Sequence, residues 1–118
     1  MALLQSSTVA TGNTSTSNPI DTRGCRSMGV TVKTDQPVTM QLWVSDDGGT
    51  TYAHSPLAFS QVGPDVVGSG LLVQATPDLS VVIDVSPFVT CQIRLVNASG
   101  SLATFTVSYY LVPFSVMQ

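Results

Sequence analysis

The sequence predicts an all-β fold, a single antiparallel β-sandwich or jelly roll of about eight strands. Composition is the first reason. All seven acidic residues are Asp, Glu is absent, and Lys33 is the only lysine, so the side chains that usually cover exposed helices are missing. The second reason is patterning: apolar residues alternate with period two in segment after segment, and helical periodicity is absent. The third is punctuation, since Gly, Pro and Asn separate these runs at short intervals. A chain of 118 residues has material for one core, burying roughly two-thirds of its unfolded surface, and residues 1–118 therefore read as one domain.

The elements follow in order. "LLQSSTVA" is a first strand, and "TGNTSTSNP" after it has no apolar content, so residues 1–20 read as an N-terminal strand and a Ser/Thr/Asn-rich arm. "SMGVTVKT" places Met28, Val30 and Val32 on one face, and "VTMQLWVS" does the same with Val38, Met40, Leu42 and Val44. "GLLVQATP" follows, then "LSVVIDVS" with Leu79, Val81, Ile83 and Val85 inward. "CQIRLVN" buries Cys91, Ile93 and Leu95, and "ATFTVSYYLV" buries Phe105, Val107, Tyr109 and Leu111. Residues 113–118, "PFSVMQ", form an apolar tail in which Pro113 interrupts the hydrogen-bond ladder. Phe114, Val116 and Met117 then need cover from this domain or from another chain.

Between two of these strands lies "SDDGGTTY". Ser45, Asp47, Gly49, Thr51 and Tyr52 fit the S-x-D-x-G-x-T-aromatic pattern of the Asp-box, a motif that recurs in sialidase propellers. Its position after a strand and before a short extended run is where a hairpin belongs. Asp47 can accept hydrogen bonds from loop amides, Gly48 and Gly49 can supply positive φ, and Tyr52 can lay its ring over the loop. A propeller needs at least four blades of such units, and one copy in this length reads as a structural hairpin.

Chemistry is sparse elsewhere. His54 is the only histidine, and its neighbours show neither a nucleophile elbow nor an orienting acid. Asp46 and Asp47 are adjacent in a turn and Asp84 stands alone, so no pair of carboxyls faces across a cleft. The same two aspartates are few ligands for calcium. The expectation is a protein that is not an enzyme, with no metal and no cofactor. A net charge of −3, with Arg23, Arg26, Lys33 and Arg94 as the whole basic complement, argues against a nucleic-acid partner. No run approaches 18 apolar residues and the N-terminus makes a poor signal peptide, so neither a membrane partner nor secretion is expected, and synthesis in a cytoplasm is. Cys25 and Cys91 are accordingly expected as free thiols. Charged residues make up 9%, far below the ~25% of an average domain, which favours assembly. Trp43 opposes Leu42 in its strand and is a candidate interface residue.

The arrangement "MGVTVKTDQPVTMQLWVSDDGGTTY" followed by "VTCQIRLVNASGSLATFTVSYYLVP" resembles small β-sandwich virion proteins of tailed bacteriophages. The shared pattern is two strands joined at a "TD" turn, the Asp-box hairpin, and a strand carrying Arg94 before an Asn97–Ser99–Gly100 turn. A last strand with Thr104 and Phe105 completes it. The resemblance implies a capsid decoration (cement) protein, made in the host cytoplasm and located on the capsid surface. Its partners would be the major capsid protein and other copies of itself, in a homo-oligomer such as a trimer. The alternative is a tail, head-completion or fibre-associated sandwich that binds carbohydrate or a receptor, with Trp43, Tyr52, Tyr109 and Tyr110 as stacking candidates.

Overall fold

The computed structural model describes residues 2–54, 66–67, 70–75, 78–86 and 88–114. Its strands are β1 (Ala2–Val9), β2 (Thr14–Thr16), β3 (Ile20–Asp21), β4 (Cys25–Thr34), β5 (Val38–Ser45), β6 (Ala53–His54), β7 (Val66–Val67), β8 (Gly70–Val73), β9 (Leu79–Asp84), β10 (Thr90–Val96) and β11 (Ala103–Pro113). They form two antiparallel sheets, and no helix occurs among the described residues. Sheet 1 has the order β1-β11-β4-β9. Sheet 2 has the order β2-β10-β5-β8-β7, with β3 added beside β10 and β6 beside β5. The fold is the expected all-β sandwich. The eleven strands among the described residues exceed the expected eight or so because β2, β3, β6 and β7 are only two or three residues long.

The inward residues are those that the alternation selects. Met28, Val30 and Val32 of β4 and Phe105 and Val107 of β11 meet Met40 and Leu42 of β5 and Cys91, Ile93 and Leu95 of β10, all at most 1% exposed. Phe105 is the largest of these side chains, and truncating such a residue typically costs about 3–5 kcal/mol through lost transfer energy and the cavity left behind.

The polar N-terminal stretch runs extended along the edge of β10. Thr14–Thr16 pair with Arg94–Val96, and Ile20 and Asp21 pair with Cys91 and Thr90. Between them, Ser17 exchanges backbone bonds with Ile93 in an unusual way: its amide donates to the Ile93 carbonyl, while its hydroxyl accepts from the Ile93 amide, both at 2.9 Å. A hydroxyl thus stands in for a carbonyl and holds the chain on the sheet edge. At the C-terminus the register slips between Val112 and Pro113, where proline has no N–H to give to the ladder.

Candidate functional site

The Asp-box closes the β5–β6 hairpin. Ser45 Oγ donates to Asp47 Oδ1 at 2.6 Å and accepts from the Gly49 amide at 2.9 Å. The same Asp47 oxygen accepts from the amides of Thr50 (3.1 Å) and Thr51 (3.0 Å). Gly48 and Gly49 have φ of 82° and 100°, a conformation that a Cβ would strain. The Ser45 hydroxyl, and after it the Thr51 amide, hold the Asp47 carboxyl down at about 2. Tyr52 folds back over the loop, its hydroxyl oxygen 3.2 Å from where a Cβ on Gly49 would sit. That hydroxyl is buried with no hydrogen-bond partner among the described residues, and burial pushes its pKa up. Ser45 Oγ, Asp47 Oδ1 and the amides of Gly49, Thr50 and Thr51 are thus engaged in forming the turn.

Trp43 sits on the outer face of sheet 2, half-buried. β10 and β6 flank β5 on opposite sides, and in register Gln92, Trp43 and His54 form one row. The Arg94 guanidinium carbon lies 3.8 Å from the centre of the indole. The His54 ring stacks on it at 5.1 Å with an 11° interplanar angle. Indole Nε1 donates to Gln41 Oε1 at 3.0 Å, and Arg94 Nη2 donates to Gln92 Oε1 at 3.2 Å. Neighbours from both flanking strands therefore occupy the indole, by a cation–π contact on one side and a ring stack on the other. This is a cross-strand lock on the sheet surface. Sequence reading missed it because Arg94 and His54 reach Trp43 only through strand register.

The other outer face belongs to sheet 1. In register across β11, β4 and β9 lie Tyr110, Gly29 and Val82, with Tyr110 42% and Val82 61% exposed. A Cβ built on Gly29 would overlap Cε1 and Cζ of Tyr110 and come within 2.7 Å of its hydroxyl oxygen. The ring therefore lies down across β4 in the space that only glycine leaves. The available signal was an isolated glycine inside a strand pattern, "SMGVTVKT", which marks close approach.

The remaining expected residues are placed as follows. Phe114 is exposed, and its amide donates to the Gly24 carbonyl at 3.1 Å. Val116 and Met117 lie outside the described residues. Cys25 is half-buried and Cys91 fully buried, and both are free thiols. Burial pushes the Cys91 thiol up to about 11. Among the described residues no group of three or more His, Cys, Asp or Glu side chains is placed to hold a metal.

No protein-family model and no curated protein matches the chain. Among solved structures, the fold is similar to that of XepA, an exported protein of PBSX, with a TM-score of 0.72 at 12% identity. The match covers 98% of this chain and 38% of XepA, so the chain spans well under half of that protein's length. A weaker match, at a TM-score of 0.44 and 11% identity, is to a family GH115 4-O-methyl-α-glucuronidase, covering 92% of this chain and 14% of the enzyme. At that score it has no bearing on the fold.

Proposed function

We propose that this chain is a non-enzymatic structural protein of a tailed-bacteriophage particle, a decoration protein that binds the outer capsid shell and stabilises contacts between capsomers. The observation that carries the phage assignment is the likeness to the PBSX protein XepA over nearly the whole chain. Three further features support a packing role over a chemical one. Charged residues are only 9% of the chain, so little charge needs to be stripped of water on association. Ser45 Oγ and Asp47 Oδ1 of the Asp-box are spent on its own turn. Phe114 stands exposed at the start of the apolar tail, where Phe114, Val116 and Met117 would seat against the major capsid protein or a second copy. Many identical contacts of this kind add up through burial and multivalency.

The test is copy number in purified particles, with a binding assay on undecorated shells. A decoration protein appears in simple proportion to the shell protein, it adds back to bare shells, and removal of residues 114–118 weakens that binding without unfolding the sandwich. Sedimentation of the free protein decides whether it is a homo-oligomer such as a trimer. Copy numbers at the level of a tail or fibre, or protein found free of particles, would overturn the assignment.

A further inference from the structure

Sheet 1 ends on one side at β9, and this strand carries backbone groups that β4 does not use. The Val85 amide donates to the Arg26 carbonyl at 3.1 Å, in step with the unbroken register that runs from Ser27 opposite Asp84 to Val32 opposite Leu79. In an antiparallel ladder alternate residues turn their N–H and C=O to the same neighbour. Val85, Ile83, Val81 and Leu79 therefore bond β4. Ser80, Val82 and Asp84 turn theirs to the far side, where no strand pairs with β9 among the described residues. Proteins usually blunt such an edge with a bulge, a proline, a lysine or extreme shortness. Among the described residues the other edges of the sandwich are blunted in these ways. β1 has a register shift between Leu3 and Gln5, β2 and β3 are short with Pro19 between them, and β7 has two residues. β9 has six residues without bulge, proline or lysine, and its Val82 is 61% exposed.

We propose that β9 pairs with β9 of a second copy, antiparallel about a two-fold axis through Val82, so that the two copies of sheet 1 become one continuous sheet. Side-chain parity, backbone phase and charge select that register. Residues directly opposite each other point to the same face, and a slip of one would set the buried Val81 and Ile83 against the outward Ser80, Val82 and Asp84. With Val82 opposite Val82, Ser80 stands opposite Asp84, and on the inner face Val81 stands opposite Ile83. The residues with outward amides and carbonyls then face one another, the arrangement in which each pair exchanges both bonds. Charge excludes the registers two residues away. One sets Asp78 opposite Asp84 at both ends, like charges across the ladder, and the other sets Asp84 against Val82. In the central register each Asp84 meets a hydroxyl. Its Oδ1 accepts from the Ser86 amide at 2.9 Å, and its Oδ2 can accept from Ser80 of the second copy, whose Oγ lies 2.8 Å from Thr31 Oγ1.

The contact is isologous, with the same strand on both sides. Six residues a side fall short of the roughly 800 Å² per partner of a standard stable interface. The dimer is therefore weak in free solution and strengthened wherever copies are held side by side. Leu3, the other strongly exposed apolar residue of sheet 1, lies on β1 at the opposite edge and takes no part.

The experiment follows amide hydrogen exchange of the isotope-labelled chain from micromolar to millimolar concentration, with sedimentation equilibrium alongside. At the dilute end the amides of Ser80, Val82 and Asp84 should exchange freely while those of Val81 and Ile83 are protected. At the concentrated end the three should gain protection together as a dimer forms. Val82→Lys sets like charges on the axis and should abolish the dimer without lowering Tm, since the side chain is exposed. Ser80→Lys, opposite Asp84, should tighten the dimer about threefold or more, and Ser80→Asp should weaken it by a similar factor, each change acting twice across the axis. These opposite responses decide the matter even if the Val82→Lys chain does not fold. Absence of a dimer at millimolar concentration would overturn the proposal, as would a dimer indifferent to both Ser80 changes. Protection of the three amides in the dilute monomer would also overturn it, because the chain would then cover its own edge. The measurement uses the free protein, so this contact and the capsid reading can fail separately.

Discussion

Ser45 and Asp47 show how much a single oxygen can organise. Asp47 Oδ1 gathers a hydroxyl and two amides, and Ser45, a residue only 3% exposed, links the strand end to the Gly49 amide through its Oγ. Ser45→Ala removes the link and leaves that amide dependent on water, at a cost of about 1–2 kcal/mol. For a domain of this size that is a fall in Tm of roughly 5–10 °C. Thermal melting checks it, and a change confined to ligand binding, with melting untouched, would contradict the structural role. This part of the site was legible in the sequence because every partner lies within a few residues of the others. The Trp43 lock was not, since it depends on which strands are neighbours. The cysteines divide the same way. The parity of "CQIRLVN" places Cys91 inside, and the structure has it fully buried beside Thr22, whose hydroxyl lies 3.7 Å from Sγ. Cys25 remains half-buried at the head of β4. Alkylation of the native protein should label Cys25 first and reach Cys91 only on unfolding. Equal rates would mean that the core opens near β10.

Among elements, the long strands were readable and the short ones were not. β4, β5, β9, β10 and β11 each carry enough alternating residues for a period to show, and their inward faces are the expected ones. β2, β3, β6 and β7 have two or three residues, too few to hold a period, and exist because a neighbouring strand offers free backbone groups. Asn97 joins several of these elements. It is fully buried, and its side-chain amide donates to the carbonyls of Val9 and Ser101, each at 2.9 Å. Its oxygen accepts from the amide and hydroxyl of Ser99, while its backbone meets Gly12 and Asn13. The end of β1, the turn into β2 and the β10–β11 turn all converge on it. Asn97→Ala leaves the buried Val9 carbonyl without this donor and should cost about 1–3 kcal/mol. Denaturant titration measures the loss, and hydrogen exchange should show β1 opening before the rest of sheet 1. A loss under about 1 kcal/mol would mean that water replaces the amide freely.

On the scale of the whole molecule, so few ionisable groups means that stability against pH is governed by a handful of them. Seven aspartates and four basic residues carry the chain's charge. Asp47 lies at about 2 in the fold against an ordinary 3.8, held by Ser45, and Asp21 lies at about 2 through its hydrogen bonds to Arg23. A carboxyl depressed on folding contributes stability that is present above its unfolded value and lost as pH falls through the folded one. The acid limb should therefore run from about pH 4 down to about pH 2. Cys91 has the opposite sign. Burial raises it from 9.0 to about 11, so its contribution is complete below pH 9 and lost as pH climbs towards 11, a change of at most ~3 kcal/mol. Tyr52, also raised by burial, extends that alkaline limb upward. Between the limbs stability should be nearly flat. Denaturation midpoints measured from pH 2 to pH 11 test the profile, and variants assign it: Asp47→Asn should flatten the acid limb, and Cys91→Ala the lower part of the alkaline one. An acid limb of undiminished slope in Asp47→Asn would mean that the hairpin carboxylate is no better stabilised in the fold than in the open chain, and that its hydrogen bonds shape the turn without strengthening it.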